Sequence, residues 1–263
     1  MNLCNVRKGL SFLLFLLVIA AIMMPFLAGC EQEEPQQDEQ VDRETLYQVS
    51  TLGALSVGVY DGDITYGEVE EHGDMGLGTF QGLDGEMVAV DGEYYQVKTD
   101  GVAYLVEDGA VAPFAAVTFF DSDREGMPEE GLDYEGLQAF IDVLRPSDNM
   151  FYAIRIDGRF EYVKARSVPG QEKPYPPLSE VVEKQTVFEF QDIEGTMVGF
   201  WCPAYVGDLN ASGYHMHFLT AGREAGGHVL ELRLGEVTVH IDETPDLFMQ
   251  LPDTEEFLQA GLD

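Results

Sequence analysis

Basic residues and cysteines are both scarce in this sequence. The 263 residues include 14 Lys and Arg against 48 Asp and Glu, which gives a formal net charge of −34. This balance argues against nucleic-acid binding, because affinity for the phosphate backbone depends on basic side chains that neutralise it. Three cysteines are too few for a disulfide framework, so a small disulfide-stapled scaffold is excluded as well.

Helical patterns are also few. Most apolar residues occur in short runs separated by the 28 Gly and 12 Pro, a pattern typical of strands joined by turns. Only Asp133–Arg145 and a segment that opens at Pro177 show apolar residues at helical spacing. The sequence therefore predicts an α+β fold built on mixed or antiparallel β-sheets with few helices.

A single long apolar run, Gly9–Leu27, follows the basic pair Arg7-Lys8 and leads into Leu27-Ala28-Gly29-Cys30. A basic start, an apolar stretch and small residues at its end are typical of a secretory signal. The ending resembles the lipobox of prokaryotic lipoproteins. We expect residues 1–29 to be a lipoprotein signal peptide and Cys30 to be lipidated, which would anchor an extracytoplasmic protein to the cell membrane. An uncleaved transmembrane anchor is the alternative, since the run is just long enough to span a bilayer.

Residues 30–44 contain the predicted lipidated cysteine and an acidic, Gln-rich linker without a core-forming pattern. The globular domain is predicted at 45–263. Within it, Phe80–Ala89 can be aligned with Phe190–Gly199 at an offset of 110, with five of ten positions identical. Each copy reads as an apolar run, a Gly turn and another apolar run, so we expect one hairpin used twice and two related halves, about 45–145 and 146–263.

Histidines are rare and unevenly placed, since four of the five lie between residues 215 and 240. On a strand, His215 and His217 point to one face while Tyr214 and Met216 point to the other. A Gly-rich hairpin then brings His228 beside His217. Three imidazoles converging from two strands are typical of a catalytic Zn²⁺ site with open coordination positions. The alternative is a group of surface histidines on a half-exposed sheet.

Three other residues with metal-binding or reactive side chains are interpreted as structural or solvated. His240 alternates onto the polar side of its strand, and His72 is isolated in an acidic loop. Cys202 is expected to be a small core residue, because it is the only cysteine of the predicted domain.

The segments around these histidines resemble the alpha-acetolactate decarboxylase family. The metal motif is carried by Ser212–Phe218 and Gly226–Val229, and the similarity extends in order over about residues 46 to 260. The further matching segments are Leu46–Thr51, Gly58–Gly62, Gly78–Phe80, Leu83–Glu86, Phe151–Gly158 and Gln171–Tyr175.

This resemblance implies a Zn²⁺ enzyme that converts (S)-2-acetolactate to (R)-acetoin and CO₂ through a metal-stabilised enediolate. It also implies a two-part fold of mixed β-sheets that is commonly a homodimer. The family's three zinc ligands fall on His215, His217 and His228. Its active-site glutamate falls on Glu86 and its active-site arginine on Arg166.

The resemblance also implies a second active-site glutamate, which family members take from a tail beyond the position of Asp263. Here either Glu255 or Glu256 takes this role, or Glu86 works with water alone. A solvated acidic turn is the alternative interpretation of Glu255 and Glu256. Glu86 is the expected proton donor to the enediolate. Arg166 is expected to hold the substrate carboxylate by bidentate hydrogen bonds, with Arg155 as the alternative anchor.

Two other functions compete with decarboxylation. A metal- or solute-binding lipoprotein would explain the lipobox, the acidic surface and the histidines, but it gives no reason for Glu86 and Arg166. A family member that binds its ligand without turnover is the other alternative. Turnover, rather than metal content, distinguishes the enzyme from both.

Overall fold

The computed structural model describes residues 41–262. The predicted signal peptide, Cys30 and most of the predicted linker lie outside this range. In the described part of the chain, no helix is both long enough and apolar enough to cross a membrane.

Strands are the main secondary structure of the described chain, with two strands of 17 residues and one of 19. In chain order the strands are β1 (Thr45–Val49), β2 (Ile64–Thr65), β3 (Met75–Thr79), β4 (Glu86–Val90), β5 (Glu93–Val97), β6 (Ala103–Leu105), β7 (Val111–Ala112), β8 (Phe114–Thr118), β9 (Arg124–Gly126), β10 (Phe151–Ser167), β11 (Thr186–Cys202), β12 (Gly213–Thr220), β13 (Gly226–Thr244) and β14 (Asp246–Gln250).

Helices are short apart from one. They are α1 (Leu52–Ser56), α2 (Tyr66–Glu70), α3 (Tyr134–Leu144), α4 (Leu178–Val182) and α5 (Glu255–Gln259), with 3₁₀ turns at Gln81–Leu83 and Ala204–Val206. The side chain of Asp133 caps α3 by accepting a hydrogen bond from the Gly136 N–H, and Pro177 precedes α4. Both helices predicted from apolar spacing are therefore confirmed.

The strands form two large sheets. The first has seven strands in the order β14-β1-β8-β3-β4-β5-β6, in which only the β1–β14 pair is parallel. The second has five strands in the order β10-β11-β12-β13-β9. Because β10 pairs with both β11 and β13, this second sheet curls until it closes on itself through β12. The pair β2–β7 stands apart from both sheets.

Three buried clusters follow from the alternation of side chains along the strands. One lies between the two sheets and includes Val88 from β4 and Phe200 from β11. The second cluster lies on the other face of the five-stranded sheet, where α3 packs against it. The third lies on the opposite face of the seven-stranded sheet, around α2. The α+β fold with mixed and antiparallel sheets and few helices is confirmed.

The structure corrects two details of the predicted halves. Residues 190–199 lie within the single strand β11, so the hairpin expected for this second copy is wrong, whereas 80–89 do contain a turn before β4. Strand β14, from the second half, pairs with β1 of the first half. That the halves are related by a repeat stays a prediction.

Candidate active site

The three predicted metal ligands meet in the layer between the two sheets. In β12, Met216 and Phe218 belong to the cluster under α3, so His215 and His217 point the opposite way, toward the seven-stranded sheet. His228 in β13 lies directly across from His217 in the β-ladder. The period-2 expectation and the hairpin pairing are both confirmed.

The ligand nitrogens of these histidines converge. Each residue offers one nitrogen, and the three atoms lie within 4.8 Å of one another. The Nε2 of His215 is 3.2 Å from the Nδ1 of His228, which is 3.3 Å from the Nε2 of His217. Tetrahedral ligands bound at about 2.1 Å lie about 3.4 Å apart, so the spacing of these two nitrogen pairs fits a metal ion.

A backbone carbonyl fixes the orientation of His217. Its Nδ1 lies 2.7 Å from the carbonyl oxygen of Met87 in β4, so the Nδ1–H donates to this oxygen. The Nε2 lone pair is then free to bind a cation, as in metal sites where the second ring nitrogen is held by a hydrogen bond. The neighbouring strand of the other sheet thus selects the tautomer that a metal ligand needs.

Burial keeps all three imidazoles neutral. It lowers the pKa of His215 to about 4, and the nearby Arg166 guanidinium acts in the same direction. The pKa values of His217 and His228 also lie well below the ordinary value, mainly because of burial. Neutral imidazole is the form that binds metal ions, so the trio is ready to bind one at neutral pH.

Glycine allows β13 to approach β10 at the site. Gly227 has φ of 137°, a conformation that glycine adopts without strain, and a Cβ there would lie 2.4 Å from the carbonyl oxygen of Arg166. His228 follows directly and pairs with Arg166 in the ladder. This close approach brings the arginine beside the histidines.

Glu86 and Arg166 form a buried, hydrogen-bonded pair next to the histidines. Glu86 begins β4 and shares a strand face with Val88, which points between the sheets. Its Oε1 accepts a 2.7 Å hydrogen bond from the Arg166 guanidinium, and the two side chains are 7% and 14% exposed. Its Oε2 lies 3.6 Å from the Nε2 of His217. Burial raises the pKa of Glu86, although Arg166 partly opposes this.

These groups line a cavity of about 250 Å³. Its polar side consists of Thr79, Glu86, Arg166 and the three histidines. The remaining lining residues are Leu52, Leu55, Gly78, Leu83, Phe114, Val168, Leu178, Ala211 and Tyr214. A small molecule with anionic and apolar parts fits such a lining. The structure thus brings together all five residues predicted for metal binding and chemistry.

The alternative and additional site residues lie elsewhere. Arg155, the alternative carboxylate anchor, is outside this lining and forms ion pairs with Asp91 and Asp157. Glu255 and Glu256 are on α5, also outside the lining, and Glu256 pairs with Lys173. Arg155 is thus engaged by two carboxylates, and Glu255 and Glu256 begin a helix rather than a turn. A role for either glutamate as the second acid stays a prediction.

The three residues interpreted as structural or solvated lie outside the cavity as well. Cys202 is fully buried in the cluster between the sheets, as expected. His240 lies 3.9 Å from Glu125. His72 is exposed but not isolated, because its ring stacks on Tyr47 with 4.0 Å between the ring centroids.

The apolar part of the lining is what sequence reasoning missed. Leu52, Leu55 and Leu178 come from the short helices α1 and α4. A signal for one of them was present, because Leu178 lies on the predicted apolar face of α4. The five-residue helix α1 is too short for a recognisable periodicity, so its leucines gave no signal.

With this geometry established, comparisons with known proteins agree on one family. The profile of the alpha-acetolactate decarboxylase family matches residues 46–263. The alpha-acetolactate decarboxylase of Methanosarcina mazei is 50% identical over 219 residues, which cover 83% of this chain and 76% of that protein. The one from Bacillus subtilis is 44% identical over 228 residues, which cover 87% of this chain and 89% of that protein.

Solved structures are similar over the same region. The crystal structure of alpha-acetolactate decarboxylase from Bacillus subtilis strain 168 matches with a TM-score of 0.82 and 44% identity, covering 83% of this chain and 94% of that one. A Staphylococcus aureus protein of unknown function, described as similar to alpha-acetolactate decarboxylase, matches with a TM-score of 0.80 and 32% identity over the same shares.

Proposed function

Because the chain belongs to the alpha-acetolactate decarboxylase family and is a carboxy-lyase, we propose that it converts (S)-2-acetolactate to (R)-acetoin and CO₂ with Zn²⁺ as its metal. One observation carries the proposal. The histidine trio and the Glu86–Arg166 pair open into the same small cavity between the sheets.

His215, His217 and His228 would hold the metal through one nitrogen each. Three neutral nitrogen donors suit Zn²⁺ and leave coordination positions open. Bound there, Zn²⁺ would supply a Lewis acid for the negative charge that develops on the substrate oxygens.

Arg166 would bind and orient the substrate carboxylate. Its guanidinium has five N–H donors in a planar fork, and one of its terminal nitrogens already donates to Glu86. The remaining donors can hold a carboxylate in a water-poor site. When the C1–C2 bond breaks, CO₂ leaves and the electron pair moves toward the C3 ketone oxygen, giving an enediolate.

Glu86 would deliver the proton that C2 then needs. Its carboxyl is buried beside the Nε2 of His217, and burial raises its pKa, so it retains a proton to higher pH than a solvated glutamate does. A general acid held on one side of the planar enediolate protonates one face, which accounts for a single product enantiomer.

The test is CO₂ and acetoin release from racemic acetolactate by the purified protein, after chelation and again after Zn²⁺ is restored. We expect zinc-dependent turnover that His217→Ala abolishes. His240→Ala is the matched control, since His240 lies outside the cavity. Tight Zn²⁺ binding without turnover would contradict the proposal and favour a ligand-binding role.

We also propose, from the sequence alone, that Cys30 anchors the protein to the outer face of the cell membrane. Cys30→Ser should move the protein from the membrane fraction to the soluble fraction when cells are fractionated. An unchanged distribution would contradict lipid anchoring at this residue.

A further inference from the structure

The apolar side of the cavity has a buried part and a partly exposed part. Leu83, Phe114 and Val168 are each 2% exposed, so they form fixed core walls. Leu52 on α1 and Leu178 on α4 are only partly buried, although both pack against the cluster between the sheets. Leu52 and Leu178 therefore belong to the part of the lining that solvent partly reaches.

The two short helices that carry these leucines contact each other and are tied to the surrounding loops. At the start of α1, the Leu52 N–H donates to the Leu209 carbonyl at 3.0 Å and the Gly53 N–H donates to the Asp208 carbonyl at 2.7 Å. Ahead of α4, the Tyr60 hydroxyl donates to the Pro176 carbonyl at 2.9 Å. Leu52 and Leu178 are thus held at defined positions.

A 2-hydroxy-3-oxo acid has two chemically distinct sides. Its carboxylate, hydroxyl and ketone need charged or hydrogen-bonding partners, which the cavity offers at Arg166, Glu86 and the histidines. Its alkyl groups on C2 and C3 gain from apolar contacts instead. The alkyl groups would then face the leucine side of the cavity.

We propose that Leu52 and Leu178 are specificity-determining residues that set how long an alkyl group the substrate can carry. This inference rests on the proposed decarboxylase function. One methylene in an apolar pocket changes discrimination by about 10- to 200-fold, so shortening a single leucine in the wall should measurably change selectivity.

The experiment compares two substrates that differ only in the C2 alkyl group, methyl in acetolactate and n-propyl in its homologue. For each variant, kcat/KM is measured for both substrates with the zinc-loaded enzyme. Leu178→Ala and Leu52→Ala should raise the propyl-to-methyl ratio about tenfold. Leu178→Phe should lower the same ratio, because a larger ring fills the space near the wall.

Val182→Ala is the matched control. Val182 lies on α4 with Leu178 and packs against the same cluster, but it does not line the cavity. Its ratio should equal that of the unmodified protein. The specificity role would be overturned if the leucine variants kept the propyl-to-methyl ratio of the unmodified protein. It would also be overturned if Val182→Ala raised this ratio as much as they do. Neither result would contradict decarboxylation itself. If the unmodified protein turned over neither substrate, the proposed function would be overturned, and the inference with it.

Discussion

At the scale of single residues, the site depends on contacts between groups that are distant in sequence. Glu86 is on the seven-stranded sheet and Arg166 on the five-stranded sheet, 80 residues apart along the chain. Alternation along β12 is enough to predict that His215 and His217 share a face. No local pattern predicts the Glu86–Arg166 contact, so these two residues were identified only through the family resemblance.

Replacing Glu86 with glutamine tests its proposed role as the proton donor. Glu86→Gln keeps the size of the side chain and an oxygen that can accept from Arg166, but it has no acidic proton. We expect kcat to fall about 100-fold or more, which is the usual contribution of a general acid. Zinc content should remain unchanged, because Glu86 is not one of the three converging ligands.

The matched control for this variant is Glu93→Gln, since Glu93 is exposed at the start of β5 and lies outside the cavity. Its kcat should match that of the unmodified protein. A Glu86→Gln enzyme with full kcat and normal zinc content would exclude Glu86 as the proton donor.

At the scale of elements, a break in the apolar pattern does not always mark the end of a strand. Phe151–Ile156 and Phe160–Lys164 look like two separate strands in the sequence, but both belong to β10. The sequence between them contains Gly158, which has φ of 143° and lies next to a shift in ladder register. In a sequence, a glycine at a strand bulge cannot be told from a glycine at a turn, because the backbone conformations of bulges and of turns both favour glycine.

A buried arginine illustrates what element patterns alone cannot predict. Arg145 follows α3, and its guanidinium lies 3.6 Å from the Trp201 ring centroid. It also contacts the hydroxyl of Tyr214, the residue before His215. The periodicity of α3 predicts an apolar face, but it does not predict which partner a terminal arginine meets. This contact ties α3 to the strand that carries two of the histidines.

The hairpin between β12 and β13 provides a prediction at this scale. Gly227→Ala places a Cβ against the Arg166 carbonyl and requires φ of 137°, which alanine rarely adopts. We expect a loss of about 2–3 kcal/mol in the free energy of unfolding, measured by denaturant titration. Zinc affinity, measured by chelator competition, should also fall, because His228 follows directly.

The control is Gly222→Ala in the loop of the same hairpin. A Cβ at Gly222 would make only ordinary contacts, 3.7 Å or more from Glu224. Stability and zinc affinity should therefore remain nearly unchanged. If Gly227→Ala were equally harmless, the close approach of β13 to β10 would not be needed to form the site.

At the scale of the whole molecule, the described chain passes from the seven-stranded to the five-stranded sheet after β8 and returns to the seven-stranded sheet after β13. Strand β14 leaves the second half to pair with β1, and Asp121, after β8, donates its N–H to Asp242 of β13 at 3.0 Å. Sequence reasoning divided the domain between residues 145 and 146 and did not predict these contacts between the two halves. The partner of an edge strand such as β14 is determined by tertiary packing rather than by its own sequence.

Asp242 also shows how the large negative charge acts on the fold. Asp242 is 3% exposed, and burial raises its pKa to about 7, assisted by the nearby acids Asp123, Glu44 and Asp121. In the unfolded chain an aspartate ionises near pH 4. Above that pH the unfolded state releases a proton that the folded state retains, so this group destabilises the fold increasingly until about pH 7.

Asp242→Asn should therefore stabilise the protein at neutral and alkaline pH. The asparagine oxygen can still accept from the Asp121 N–H, while the cost of ionisation is removed. We expect a Tm higher by roughly 3–6 °C at pH 8. This difference should shrink steadily as the pH falls from 7 toward 4, because both states are then protonated at Asp242. Calorimetric or fluorescence melting curves at several pH values measure it.

Removing one negative charge from a highly acidic protein could itself raise Tm, so the comparison needs a variant that loses the same charge at the surface. Glu129→Gln does this at an exposed position. Its Tm should change little and without the same trend between pH 4 and 7, since screening by salt weakens exposed charge interactions. Parallel Tm–pH curves for the two variants would mean that general charge repulsion, rather than burial of Asp242, controls the effect. If only Asp242→Asn raises Tm, and the rise grows as the pH increases to 7, the cost of ionising a buried carboxylate lies at Asp242, where the two sheets meet.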